Sequence, residues 1–197
     1  MCILVMEVII HINPPFNTMA HIQLNNEQLP GIVGLLNYRP ETAKPLCELA
    51  EVLLRGPSTL TSGEREIIAA SVSYWNNCHF CHTSHAAAAA AHLKAGEPLI
   101  DDIKAGLKDT PVSGKLRALL AIARQVQQSG RNVTAESIEA AKALGATDIE
   151  IHDTVLIAAA FCMFNRYVDG LGTWAPQPNA AYLEMGEGMA HRGYVNF

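Results

Sequence analysis

The residues that could do chemistry lie together in the segment Cys78-His79-Phe80-Cys81-His82-Thr83-Ser84-His85. Three of them, Cys78, Cys81 and His85, fall within an arc of roughly 60° on an ideal helix, because each residue turns the chain by about 100°. A Cys-x-x-Cys pair that shares a helix face with a histidine is typical of a redox dithiol with an acid–base partner. The spacing therefore predicts thiol chemistry at the two cysteines, with His85 handling the proton.

The sequence around this segment places Cys78 at or near the start of a helix. Asn76 and Asn77 are poor helix formers, whereas residues 86–91 are a run of alanine, the strongest helix former. Unpaired N–H groups and the helix dipole favour a thiolate at such a start. Cys81 is instead favoured by His85, which lies one turn further along the helix and can take its proton.

Two other interpretations of the segment stay open from the residues alone. A structural zinc site would use Cys78, Cys81 and one or two of the neighbouring histidines, but such sites usually draw ligands from two segments. His152 and His191 are isolated further along the chain, which disfavours zinc. A pair of buried core cysteines is the other interpretation, and three histidines on the same two turns disfavour it.

Glu66 is the residue that could orient the histidine. It lies twelve residues before Cys78, on the predicted preceding helix. If the two helices form an antiparallel hairpin, His85 is the histidine nearest in level to Glu66, and the side chains with one water can span the remaining distance. A solvated carboxylate that favours the helix dipole is an equally acceptable interpretation of Glu66.

The pattern of Glu66, eleven residues, Cys78-x-x-Cys81, three residues and His85 resembles the active-site pattern of the alkylhydroperoxidase D (AhpD)-like proteins. These proteins belong to the carboxymuconolactone decarboxylase superfamily. The sequence is most similar to the peroxidase-related members.

A second part of the chain supports the same resemblance. Residues 143–150 lead into an alanine-rich helix that ends at residues 165–172, and together they resemble the second conserved segment of the superfamily. The resemblance covers about residues 31–172. It implies an all-α, AhpD-like bundle of several helices with a catalytic helical hairpin, commonly assembled as a trimer or hexamer.

The resemblance also implies an activity, which is that of a thiol-dependent peroxidase. Cys81 is the thiol that a hydroperoxide oxidises to a sulfenic acid, and Cys78 resolves it by closing a Cys78–Cys81 disulfide. His85 and Glu66 form the proton relay. No cofactor or metal is implied, and the thiol reductant is unknown. Phe80 departs from the pattern, because AhpD itself has a histidine there.

Two other activities remain as alternatives. The first is a disulfide reductase that acts on an unknown partner. The second is a zinc-binding or redox-sensing helical module without peroxidase turnover. The metal content of the purified protein separates the second from catalysis.

Composition excludes several further classes. The chain has 197 residues, of which 49% are hydrophobic and 17% charged, and its net charge is −5 with no basic stripe, so nucleic acid is not expected as a partner. No segment is a membrane candidate, because the apolar run near the N-terminus is too short. Among the five cysteines, Cys47 and Cys162 lie in apolar helical contexts and fit buried positions in a reducing cytoplasm.

The organisation expected from the sequence is simple. Residues 1–18 are an N-terminal extension, either a spurious start or an arm, and residues 19–197 form one all-α domain whose core motif region is 40–172. The low charge and the alanine run favour a homo-oligomer. The centre of the long helix that starts at residue 148 is apolar on every side, so we expect it to be buried all round. The expected helices span residues 40–55, 61–76, 78–95, 97–105, 111–129, 134–144, 148–167 and 179–189.

Overall fold

The computed structural model describes residues 20–195, so the extension predicted for residues 1–18 lies outside it. Within the described residues there are nine α-helices, two short 3₁₀ turns and no strand, which confirms the all-α class. The 3₁₀ turns are Gly130–Asn132 and Asn179–Tyr182. The helices are α1 (Gly31–Tyr38), α2 (Pro40–Arg55), α3 (Ser62–Trp75), α4 (His79–Leu93), α5 (Pro98–Lys104), α6 (Gly114–Gln128), α7 (Ala135–Ala143), α8 (Asp148–Gly170) and α9 (Leu183–Arg192).

The helices begin where the sequence carries capping residues. Thr61 accepts a hydrogen bond from the Glu64 N–H, and the Glu64 carboxylate accepts one from the Thr61 N–H, so the capping box at the start of α3 is complete. Pro40 occupies the first turn of α2, where its missing N–H costs nothing. Helix α4 ends at Leu93 and is capped by Lys94, whose φ of 53° lies in the left-handed region.

The hairpin of α3 and α4 is the centre of the fold. Most of α3 is buried, including its polar residues, and α4 is buried over most of its length. Helices α6 and α8 pack against α3, and α9 packs against α4. The α9–α4 contact is close, because a Cβ added to Gly186 would lie 2.5 Å from the Ala87 carbonyl carbon. The hairpin is therefore held from both sides.

Two expectations need correction. Helix α8 extends to Gly170, and its centre is not buried all round, since Leu156 and Met163 are 40% and 44% exposed. Its covered side packs mainly on α3 and α6, with further contacts to α1, α2 and α7. The alanines at 86–90 are buried by helices of the same chain, so they are not the open surface that favoured an oligomer. Oligomerisation and the domain boundaries remain predictions.

Within residues 20–195, none of the helices combines the length and the apolar character that crossing a bilayer would require.

Candidate active site

The turn between α3 and α4 sets the position of the two thiols. Asn77 adopts a φ of 61°, a left-handed conformation that asparagine tolerates better than most residues. The Cys78 N–H then donates to the Ser73 carbonyl, and Cys78 becomes the residue that caps the start of α4. The Asn76 amide is hydrogen-bonded to Asn165 on α8 and to Gln127 on α6, so the turn is fixed to two neighbouring helices.

Cys78 and Cys81 lie one turn apart as free, buried thiols. The pKa of Cys78 is raised far above that of a free cysteine, first because its thiol is hydrogen-bonded to the Cys81 side chain and then because it is buried. A hydrogen bond from the Cys81 N–H at the helix start lowers the Cys78 pKa but is outweighed. The helix start therefore does not make Cys78 the thiolate. Cys78 keeps its proton and can offer it to Cys81.

Asp169, near the end of α8, is a second partner of Cys78. Burial raises the pKa of the Asp169 carboxyl, and a hydrogen bond from the Cys78 thiol opposes that shift. The neighbouring Arg166 does not pair with Asp169 but donates to the carbonyl of Cys162 at 2.8 Å. The Asp169 carboxylate faces the dithiol.

Glu66 and His85 are in direct contact across the hairpin. The distance from His85 Nδ1 to Glu66 Oε2 is 2.8 Å, and the Glu66 side chain is fully buried. No bridging water is needed to join them. A solvated role for Glu66 is therefore excluded, and the carboxylate orients the imidazole.

The contact also sets the chemistry of the imidazole. With Nδ1 donating to the carboxylate, a neutral His85 keeps its lone pair on Nε2. This is the atom that can accept a proton from Cys81, which lines the same cavity as His85. The carboxylate also stabilises the imidazolium that forms when the proton moves. The arrangement is that of a general base held by an acidic residue.

A cavity of about 100 Å³ opens beside Cys81. Its wall comes from α1, α2, α4, α8 and α9 together with Tyr194, and most of it consists of aliphatic, aromatic and methionine side chains. Phe80 belongs to this wall, so the position where AhpD has a histidine is apolar here. Cys78 does not line the cavity. The thiols, hydroxyls and imidazole that reach it belong to Cys47, Cys81, Ser84, His85 and Tyr194.

The other histidines of α4 have structural partners. His79 Nε2 lies 2.9 Å from the Pro176 carbonyl, and His82 Nδ1 lies 3.0 Å from the Ala70 carbonyl. Burial lowers the pKa of His82 to about 4, so this ring is neutral at physiological pH. His92, two turns beyond His85, has its Nε2 buried without a hydrogen bond, and burial lowers its pKa as well. None of the three replaces His85.

The aromatic residues near the turn separate into two groups. Phe80 lines the cavity. Trp75 packs under the Arg124 guanidinium at 5.0 Å, and Tyr74 lies against the His82 ring, so neither reaches the cavity.

Tyr194 is the site residue that sequence reasoning missed. Its hydroxyl donates to Glu66 Oε1 at 2.5 Å, and its ring stacks on His85 with a centroid distance of 5.9 Å and an interplanar angle of 16°. It lies 109 residues after His85 and follows a glycine rather than a motif. No local pattern points to it, because only the packing of α9 on α4 brings it here.

A metal-binding interpretation finds no donor set in this part of the chain. Among residues 20–195, no group of three or more histidine, cysteine, aspartate or glutamate side chains is placed to hold a metal ion.

One family of known proteins matches the part of the chain that holds the candidate site. Residues 40–105 match the model of the carboxymuconolactone decarboxylase family. This segment contains Glu66, Cys78, Cys81 and His85. No curated protein matches the sequence.

Solved structures with the same fold cover most of the chain. A peroxidase-related protein from Silicibacter sp. TM1040 is 25% identical, with a TM-score of 0.68 and 78% of each chain covered. An uncharacterised peroxidase-related protein from Ralstonia eutropha JMP134, described as an alkylhydroperoxidase AhpD core, is 22% identical, with a TM-score of 0.72. In that comparison 87% of this chain and 98% of the other are covered. The likeness confirms the AhpD-like fold that the resemblance implies.

Proposed function

We propose that this chain, which belongs to the carboxymuconolactone decarboxylase superfamily and has the AhpD-like fold, is a thiol-dependent peroxidase of the alkyl hydroperoxidase type. One observation carries the proposal. Cys81 lies in the cavity with His85, whose Nδ1 is held by the buried carboxylate of Glu66, and on its other side it is hydrogen-bonded to the Cys78 thiol. A reactive thiol needs a base on one side and a resolving thiol on the other.

In the first step, His85 Nε2 takes the proton of the Cys81 thiol. The thiolate attacks the terminal oxygen of the hydroperoxide, the O–O bond breaks, and the leaving alkoxide takes a proton from the His85 imidazolium. The products are an alcohol and a sulfenic acid on Cys81. The Glu66 carboxylate stabilises the imidazolium between the two proton transfers.

In the second step, the sulfur of Cys78 attacks the sulfur of the Cys81 sulfenic acid. The S–O bond breaks, the Cys78 proton leaves with the hydroxyl as water, and the Cys78–Cys81 disulfide forms. The raised pKa of Cys78 suits this order, because a thiol that holds its proton does not compete with Cys81 for the peroxide. Asp169, which is hydrogen-bonded to the Cys78 thiol, can take this proton from the attacking thiol and return it to the leaving hydroxyl. A thiol reductant of unknown identity then restores both thiols.

The cavity supports an organic hydroperoxide as the substrate. Its wall is mostly apolar and includes Phe161, whose ring contacts that of His85, together with Phe80 and Met189. Burial of an alkyl group there is favourable by roughly 25 cal/mol for each Å² of apolar surface removed from water. Hydrogen peroxide has no alkyl group, so its binding gains no such free energy from the apolar wall. We therefore expect organic hydroperoxides to be the better substrates.

The direct test is a titration of the reduced, full-length protein with one equivalent of tert-butyl hydroperoxide or of hydrogen peroxide, followed by intact-mass and peptide-mass analysis. We expect a loss of two hydrogens, a Cys78–Cys81 disulfide, and a faster reaction with the organic peroxide. The Cys47→Ser variant is the matched control, because Cys47 lines the same cavity. Oxidation mainly at Cys47 or Cys162 would refute the proposal.

The same titration separates the alternatives. A disulfide reductase would form the Cys78–Cys81 disulfide from a disulfide substrate such as oxidised glutathione but not from peroxide. A zinc-binding or redox-sensing module would purify with metal at a stoichiometric ratio and would not turn over.

We also retain two predictions from the sequence. They are that the protein is a homo-oligomer, a trimer or hexamer, and that it works in the cytoplasm. Light scattering at micromolar concentration checks the first, and a monomer would contradict it.

A further inference from the structure

We propose that Tyr194 is a positioning residue of the proton relay, and that its hydroxyl holds the Glu66 carboxylate directed at His85. The inference rests on the proposed function, since the relay matters only if Cys81 is activated. Tyr194 reaches neither the sulfur atoms nor the proton that moves. It acts through Glu66.

The hydrogen bonds around the carboxylate form a chain of three groups. Tyr194 Oη donates to Glu66 Oε1, and Glu66 Oε2 accepts from His85 Nδ1 at 2.8 Å. The hydroxyl lies 3.4 Å from His85 Nδ1, so the three groups form one compact cluster. A fully buried carboxylate is costly unless its oxygens accept hydrogen bonds. Tyr194 supplies the donor on the side that His85 does not reach.

The hydroxyl remains a donor at every working pH. Burial, and then the negative charge of Glu66, raise the pKa of Tyr194 well above its usual value. Glu66 therefore faces a neutral phenol on one side and an imidazole N–H on the other.

The backbone that carries Tyr194 is tied down at several points. Its N–H donates to Glu51 Oε2 at 2.6 Å, and the Arg55 guanidinium donates to the carbonyls of Met189 and Ala190. Gly193 has a φ of 78°, and a Cβ there would collide with the Glu51 carboxylate. The end of α9 therefore turns toward α2 and places the phenol on Glu66. A ring that only filled space would not require this set of contacts.

Loss of the hydroxyl has a definite chemical consequence. Without its second donor, the buried charge of Glu66 is less stabilised, and the arrangement in which the proton of the pair lies on Glu66 and is donated to His85 Nδ1 becomes more populated. The imidazole is forced into the tautomer with its proton on Nε2, which cannot accept the proton of Cys81. Activity should therefore be lost from the acidic side first and should recover as the pH rises.

Several other titratable or charged groups lie near the cluster, and their effects on the pH profile must stay the same in every variant that is compared. Helix α8 faces the cluster with the rings of Phe161 and Phe164, which do not titrate. The other groups are Cys47, Glu51 and Arg55 on α2, Arg65 on α3, Cys81 and His92 on α4, and His191 on α9.

The test is the Tyr194→Phe variant, which keeps the ring and its stacking on His85. The rate of disulfide formation with tert-butyl hydroperoxide is measured from pH 5 to pH 9 in the full-length protein. We expect a loss of about tenfold at neutral pH, an acidic limb moved up by about one pH unit, and recovery toward the wild-type rate at high pH. In a Glu66→Gln background the same change should cost little more, because Tyr194 acts through Glu66.

Tyr182→Phe is the matched control. Tyr182 is also buried, but its hydroxyl donates to the Pro176 carbonyl at 2.8 Å and does not contact the relay. This variant should keep the wild-type rate and pH profile. Circular dichroism and thermal unfolding verify that each variant is folded.

A second readout separates this inference from the proposed function. Alkylation of Cys81 by iodoacetamide, followed by peptide mass across the same pH range, reports thiolate formation without peroxide. If the wild-type protein ignores peroxide, the proposed function fails, and a shifted alkylation profile in Tyr194→Phe still supports the relay. If Tyr194→Phe matches the wild type in both profiles, Tyr194 only fills space and the inference is overturned.

Discussion

His82 and His85 lie one turn apart on the same helix, and both face α3, yet their rings have different hydrogen-bond partners on that helix. His85 is held by the Glu66 carboxylate at 2.8 Å, whereas His82 is held by the Ala70 carbonyl at 3.0 Å. A carboxylate stabilises the protonated ring, while a carbonyl in an apolar setting cannot offset burial. The pKa of His82 is lowered to about 4. The partner on α3, rather than the residue type, decides which histidine can carry protons.

The difference between the two histidines matters for catalysis only if Cys81 is the attacking thiol. Substitution of this cysteine tests that assignment and should have the largest effect on the reaction. Cys81→Ser should abolish peroxide consumption, because serine is a far weaker nucleophile at neutral pH. Cys78→Ser should leave a sulfenic acid on Cys81 that a dimedone probe traps. Labelling of Cys78 in the Cys81→Ser protein, with peroxide consumption intact, would show that the two roles are reversed.

The next effect separates the two histidines directly. His85→Ala should slow the oxidation of Cys81 by about 10²–10⁴-fold, since general acid–base help is worth that much. His82→Gln is the matched control and should stay within about twofold of the wild type above pH 6.5. Stopped-flow rates with tert-butyl hydroperoxide measure both. Equal losses in the two variants would show that α4 needs its packing rather than a base.

A smaller effect is expected when the carboxylate is removed and the imidazole is kept. Glu66→Gln should slow the reaction by about 10–100-fold, less than His85→Ala, because the ring loses its orientation and its counter-charge but remains a base. The Glu64→Gln variant is a control on the same helix, since Glu64 only caps α3. A loss in Glu66→Gln greater than in His85→Ala would assign the proton transfer to Glu66 itself.

Substitution of His82 should have the smallest effect on the reaction but a measurable effect on how stability depends on pH. Its pKa is lowered from 6.5 to about 4 in the folded state, so the unfolded chain binds more protons between these pH values. The free energy of unfolding is therefore at its full value above pH 6.5 and falls as the pH drops toward 4, by up to about 3 kcal/mol. Urea unfolding at pH 7 and pH 5 checks this. His82→Gln should show a weaker pH dependence, and an unchanged one would contradict the assignment.

Much of the fold and part of the site could be predicted from the sequence. Proline at the start of α2 and the capping box at Thr61 gave helix limits within a residue or two of those observed. The spacing of Cys81 and His85 correctly predicted that they share a helix face, because helix geometry is fixed over two turns, whereas Cys78 caps the helix and does not line their cavity. These are local features, and local rules decide them.

The remaining part depends on how separate elements pack. Glu66 was expected at a water-bridged distance, with the turn centred on Asn76 and Asn77. In the fold, Glu66 pairs with His85, and Ala70 pairs with His82. The hairpin is therefore centred slightly before Asn76 and Asn77, and the carboxylate lies level with the imidazole. The contacts of Tyr194 on Glu66 and of Asp169 on Cys78 join residues about 90 or more positions apart. No periodicity in the sequence encodes such contacts.

The backbone contact between α9 and α4 has a consequence for how relatives of this protein can diverge. Gly186 meets the Ala87 backbone, so any side chain there would push the two helices apart. Met185 and Met189 flank this contact on α9 and belong to the cavity wall. Substitutions at these two methionines can reshape the space for the alkyl group while the distance between the helices is kept. Substrate preference can therefore evolve at α9 without altering the chemistry of the thiols.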